Sequence, residues 1–361
     1  MALSTLAAPT NSIPTAASHK NNNFNFLRLF FASLVLISHA PQLRDGDYRR
    51  EPIMQFFGTT SAGELAVYGF FLLSGYLIVG SWQRKTDLLY FLNKRVRRIY
   101  PAFIVAIIIS VFIVGPLAVP DVAAYFQKIN YRWLISGTMK LRPPEQTNGL
   151  AFAGQPSPFL NGAVWTIAYE FRCYVITALV GLLGLKRQKP VWVSLLVISL
   201  AFTLVPADLL DIPFPGRELL IDNPNAFFRH LSMFSAGACF YFFRGALPAT
   251  GRKAALVGIV LFALLFLPVP PTVALSTLGA YFLFWVAFAR ISFLDSFQNM
   301  SDISYGVYLY GWPIQKLLEW YFPTVSVWVL VVVAFGLCCV MGAASWHLIE
   351  KHFIAGQRRQ A

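Results

Sequence analysis

Ten apolar runs, separated by loops that carry most of the Lys and Arg, leave this chain few ways to fold. They cover approximately residues 25–43, 64–82, 99–119, 162–185, 190–206, 227–244, 254–270, 273–290, 303–322 and 325–348. Each is long enough, or nearly so, to cross a bilayer as a helix of about 20 residues. Composition points the same way. Of 361 residues 57% are hydrophobic and 12% charged, where a soluble domain averages about 25% charged. The expectation is an all-α integral membrane protein, a bundle of about ten transmembrane helices with no internal repeat. Pro268, Pro270 and Pro271 separate the seventh and eighth runs, which predicts a helical hairpin there. Pro313 predicts a kinked and buried ninth helix.

Orientation follows from the basic residues of the loops. With a cytoplasmic N-terminus, seventeen Lys and Arg fall inside and eight outside, four of those eight in the longest loop, 120–161. Both termini are therefore expected in the cytoplasm. Residues 1–24 read as a disordered cytoplasmic lead, 25–350 as a single transmembrane domain and 351–361 as a cytoplasmic tail. The net charge of +13 sits in loops between apolar runs, which is the pattern of topology signals and not of a nucleic-acid stripe. Cys173, Cys239, Cys338 and Cys339 all lie within apolar runs without metal-ligand spacing. No metal site is expected, since no histidine has a suitable spacing either.

Four stretches carry chemistry. The first run, FNFLRLFFASLVLISHA, places Arg28 near its start and His39 near its end. Eleven residues at 100° each bring both to nearly one face, roughly 16 Å apart along the axis. Ionisable groups inside a membrane are costly and mark function. FLNKRVRRIYPAF (91–103) places Arg95 and Arg98 on one face at the cytoplasmic entrance of the third span, as topology anchors or as a phosphate cradle that Arg28 completes. VWTIAYEFRCYVI (164–176) carries Glu170 in the fourth span, with Thr166, Cys173 and Tyr174 on its face. Arg172 points elsewhere. Glu170 reads as one half of a structural buried pair or as a proton-handling carboxylate near His39. ISYGVYLYGWPIQKLLEW (303–320) adds Ser304, Tyr305, Tyr308, Tyr310, Trp312 and Gln315, either lining a polar path or bonding helix to helix.

Elsewhere in these runs, Lys316 is expected to snorkel to the outer interface, and His230 to sit at that interface. Ser74, Gly75 and Gly80 read as close helix packing.

Taken in order, these stretches resemble the acyltransferase-3 family of multi-spanning bacterial membrane acyltransferases. Arg28 and His39 look like its Arg-x10-His motif, and Arg95 and Arg98 like its Arg-x-x-Arg motif. FFLLSGYLI (70–78) is similar to its second-span pattern. VWTIAYEF resembles its Trp-Ser-Leu-x-x-Glu stretch, through Trp165 and Glu170. SYGVYLYGWPI resembles a late Ser-Tyr-x-x-Tyr-Leu-x-His-x-Pro pattern, with Gly311 where many members carry His. SWHLIEKHF resembles the closing stretch, through Glu350. The likeness covers nearly the whole chain after residue 24.

It implies transfer of an acyl group, commonly acetyl, from cytoplasmic acyl-CoA to a hydroxyl of a cell-surface glycan or its lipid-linked precursor. The setting is the bacterial inner membrane, with acyl-CoA as co-substrate and no tightly bound cofactor. Arg28, Arg95 and Arg98 are expected to bind the CoA phosphates. His39 is the expected general base and Glu170 its partner in catalysis. Trp165, Tyr174, Ser304, Tyr305 and Tyr308 are expected to bind the acceptor or line its path. Membrane lipid, acyl-CoA and the glycan are the expected partners, and nucleic acid is not. The competing reading is a glycolipid permease or flippase without acyl transfer.

Overall fold

The computed structural model describes residues 22–355, apart from 211, 212, 214, 246–249 and 299. Most of the expected N-terminal lead, with His19 and Lys20, lies outside the described residues, as do Arg358 and Arg359 of the expected tail. Among the described residues every regular element is helical.

A helix occupies each of the ten apolar runs. We number them α1 (Phe24–Asp45), α2 (Ala62–Arg84), α3 (Leu88–Ala118), α4 (Ala163–Leu182), α5 (Leu185–Thr203), α6 (Pro224–Phe243), α7 (Gly251–Leu264), α8 (Pro271–Phe288), α9 (Ser304–Tyr321) and α10 (Val327–Ile354). Six of them, α1, α2, α3, α4, α8 and α10, are long and apolar enough to cross a membrane. The other four differ for visible reasons. At 14 residues, α7 is about 21 Å long, short of the roughly 30 Å hydrocarbon core. The first turns of α5 are the basic LKRQK, α6 carries Arg229 and His230, and α9 carries Gln315, Lys316 and Glu319.

Local chemistry sets the ends of the helices. Asn23 donates from its side chain to the Val286 and Ala289 carbonyls at 2.7 and 2.9 Å, tying the start of α1 to the end of α8. Gly46, at φ +82°, ends α1 by donating to the Gln42 carbonyl. A reciprocal capping box between Ser61 and Glu64 starts α2. The expected hairpin is present: α7 and α8 pack together beyond the proline turn, with Gly258 against Phe282.

At the centre, α2 packs on α1, α4 and α6, while α9 lies between α1 and α10. Backbones touch where α2 meets α6. A Cβ at Gly75 would fall 2.0 Å from the Phe234 carbonyl oxygen, and one at Gly237 would fall 2.1 Å from that of Leu72. Gly75 and Gly80 are packing residues, as expected, with Gly80 against Tyr241. Ser74 instead donates to Glu170.

The long 120–161 connection folds over one end of the bundle. It holds two short helices, Val122–Lys128 and Tyr131–Met139, and buries Leu141, Ala151 and Phe152. This cover corrects the expectation for Lys316, whose side chain is fully buried. Its ammonium donates to the Ser157 carbonyl at 2.7 Å and lies over the Phe152 ring. The chain itself supplies the polar partner that the interface was expected to supply. As expected, α9 is buried along most of its length.

Candidate active site

Two cavities open inside the bundle, and α1 borders both. The larger, about 340 Å³, is lined by Arg28, Arg95, Arg98, Glu170, Tyr174, Ser304, Tyr305 and Tyr308 among others. Its volume is that of a small-ligand pocket. Eight of the ten residues singled out from the sequence thus meet in one place, drawn from α1, α3, α4 and α9.

Charge is concentrated at one end of this arginine cavity. Arg28 and Arg98 both donate to one Asp302 carboxylate oxygen, at 2.8 Å each. Arg98 also reaches Glu350 at 3.0 Å, and Glu350 accepts from Ser345. A π-helical turn over Trp346–Glu350 at the end of α10 places Glu350 there. Burial by itself raises the Asp302 carboxyl, but the Arg28 and Arg98 guanidiniums and the bonds from Ser304 outweigh it and hold it at about 2. It is therefore ionised at neutral pH.

Arg95 differs from the other two. It is buried, donates to Ser81 at 3.1 Å and leaves Nε without a partner. Lys94 lines the same cavity. Away from the arginines, Glu170 accepts from Ser74 and from the Tyr174 hydroxyl, the latter at 2.7 Å. Arg172 points away from Glu170, as expected from its place on the helix, and donates to the carbonyls of Glu218, Leu219 and Ile221.

A second cavity of about 200 Å³ is lined by His39, Gln42, Glu64, Trp165, Arg229 and His230, with Ser38, Tyr48 and Tyr68 around them. His39 meets the Trp312 ring edge to face at 4.7 Å. The two cavities share Val67, Thr166 and Tyr308 as a common wall. The wall is tied together by the Tyr308 hydroxyl, 2.7 Å from Thr166 and also donating to the Ala163 carbonyl.

Glu170 and His39 therefore occupy different cavities on either side of that wall. The sequence placed both in one half of the membrane but could not see which neighbours α4 turns toward. Trp165 lies in the histidine cavity, while Tyr174, Ser304 and Tyr305 lie in the arginine cavity and Tyr308 divides the two. Tyr305 donates to the Ile99 carbonyl at 3.1 Å.

His230, expected at an interface, is buried and lines the same cavity as His39. Asp302 was not singled out from the sequence. Its signal was an acidic residue directly before the polar-aromatic stretch 303–320. At Gly311 a Cβ would come within 2.9 Å of the end of the Leu36 side chain on α1, so α9 faces α1 there.

Comparisons with known proteins bear on the chain as a whole. A family model described as an acyltransferase domain matches residues 21–348. The chain is 30% identical over 354 residues to the O-acetyl transferase of Shigella phage Sf6, covering 93% of this chain and 97% of that protein. It is 31% identical over 170 residues to nodulation protein 10 of Rhizobium leguminosarum bv. viciae, 44% of each. No solved structure matches. With a family model over most of its length and a relative matched nearly end to end, the chain belongs to the acyltransferase-3 family and is a multi-pass membrane acyltransferase.

Proposed function

We propose that this enzyme moves an acyl group, commonly acetyl, from cytoplasmic acyl-CoA to a hydroxyl of a cell-surface or exported glycan or its lipid-linked precursor. It does so in the bacterial inner membrane, with both termini in the cytoplasm, ten spans and no tightly bound cofactor. The observation that carries the reading is the pair of cavities sharing one thin wall. One gathers three arginines and the other holds an imidazole. The name of the phage relative supports acetyl transfer to oxygen.

In this scheme Arg28, Arg95 and Arg98 hold the CoA phosphates, since guanidiniums bind phosphate through paired charge-assisted hydrogen bonds. The pantetheine arm runs past Glu170, Tyr174, Ser304 and Tyr305 to the wall at Thr166 and Tyr308. The thioester then reaches the histidine cavity, where the acceptor lies against Trp165. His39 takes the proton of the acceptor hydroxyl. The freed oxygen lone pair bonds the thioester carbonyl carbon, and the carbon–sulfur bond breaks. CoA thiolate leaves and recovers the proton from the imidazolium. Imidazole suits both steps because a neutral ring nitrogen accepts a proton and the imidazolium returns it. Glu170, bonded to Ser74 and Tyr174, serves the donor's path.

The test is purified protein incubated with labelled acetyl-CoA and a glycan extract from the same cells. Label should appear on the glycan, and His39→Ala and Arg28→Ala should each sharply lower its transfer at normal protein levels. Both variants at full activity would sink the scheme. Glycolipid transport with no label moved would favour the permease.

A further inference from the structure

The histidine cavity contains a second imidazole that the scheme above leaves idle. His230 projects from α6 and is 4% exposed. Phe71 of α2 stacks on its ring at 4.5 Å, with Trp165 and Tyr169 of α4 at 5.4 Å and Tyr68 at 6.2 Å. Four aromatic rings from two helices fix the plane of the imidazole. Its Nδ1 is buried and makes no hydrogen bond of good geometry, and the Ala226 carbonyl one turn back on α6 is its polar neighbour.

A bland account makes His230 one more ring in an aromatic cluster. Phenylalanine would serve that purpose without burying a polar ring, whose nitrogens are costly in a packed interior unless well paired. The surroundings suit a saccharide. The flat Trp165 ring is 42% exposed on the same wall, and sugar rings present apolar faces to such surfaces. Next to His230, Arg229 pairs with Glu64 at 3.3 Å, and both line the cavity. Together they add charged donors and acceptors of the kind that read vicinal hydroxyls.

We propose that His230 binds the acceptor sugar and holds its reacting hydroxyl toward His39. A neutral imidazole has one donor and one acceptor nitrogen, so it can orient a hydroxyl while His39 takes the proton. His230 forms no covalent bond and carries no proton in the step. The assignment rests on the acyl-transfer reading and adds to it a residue on a different helix from either sequence motif.

The experiment uses the full-length protein, labelled acetyl-CoA and glycan extract from the same cells. His230→Phe keeps the aromatic stack and removes both nitrogens. His230→Gln restores hydrogen bonding without an imidazole and keeps the test sound where the phenylalanine variant folds poorly. His230→Phe should lower kcat/KM for the glycan about 100-fold, with the KM for acetyl-CoA within about twofold of wild type. His230→Gln should recover about tenfold of that loss. Lost donor affinity is the signature of general disruption, and a loss confined to the acetyl-CoA KM overturns the assignment. So does glycan transfer by His230→Phe at the wild-type rate. A wild-type protein that moves no label overturns the acyl-transfer reading and this assignment with it. An active wild type beside an unimpaired His230→Phe overturns the assignment alone.

Discussion

Asp302 is the residue on which the arginine cavity turns. One carboxylate oxygen accepts from two guanidiniums at 2.8 Å, which joins the first and third spans to the entrance of α9. Two cations side by side repel each other, so the carboxylate is what allows Arg28 and Arg98 to share a site. Its pKa, held at about 2 against about 3.9 in an unfolded chain, links stability to pH. Because the folded value is the lower one, the stabilisation is fully present above about pH 4 and is lost as pH falls through about 2. Thermal unfolding in detergent should show that decline for the wild type, and Asp302→Asn should remove this contribution to it. The same variant should raise the KM for acetyl-CoA about tenfold, equal to about 1.4 kcal/mol, because the cradle loses the anion that sets its spacing. An unchanged donor KM would contradict the cradle. For His39→Ala, a base-deleting change, transfer should fall by about 10²–10⁴ while acetyl-CoA binding, measured by isothermal titration, is retained.

Among the elements, α2 does the most to position the site. Its glycine face seats α6 at backbone contact, and so brings His230 beside Phe71 and into the histidine cavity. Gly75 and Gly237 each confront a carbonyl oxygen of the opposite helix, a backbone atom that cannot swing aside. Gly75→Val or Gly237→Val should therefore destabilise the fold by about 1–3 kcal/mol or more, read as lost monodisperse protein on size-exclusion chromatography. Gly336→Val on α10 meets nothing within 4 Å and should behave as wild type in that assay. The α4–α9 contact forms the wall between the cavities. Val67 completes that wall from α2. Val67→Trp should plug the wall, so that acetyl-CoA still binds while label no longer reaches the glycan. Normal transfer by this variant would show that the donor arm takes another route.

For the whole molecule, the seventeen-to-eight division of Lys and Arg predicts that reporter proteins fused to the N- and C-termini both read out in the cytoplasm. It also predicts that a cysteine placed at Arg142 labels from outside intact cells. Opposite sidedness of the termini would contradict an even number of spans. The sequence by itself determined the helical membrane class, the approximate place of the apolar helices and the hairpin at the prolines. Those features follow from local rules: apolar length, breaker residues and the angular step of a helix. Only the tertiary structure decided that His39 and Glu170 face different cavities, that Lys316 is covered by the 120–161 connection, and that Asp302 gathers the cationic cluster. It alone brought His230 into the cavity that His39 lines. Each of these depends on which face of one helix meets which face of another, and that is fixed by contacts between residues as far apart as Arg28 and Asp302 in the sequence.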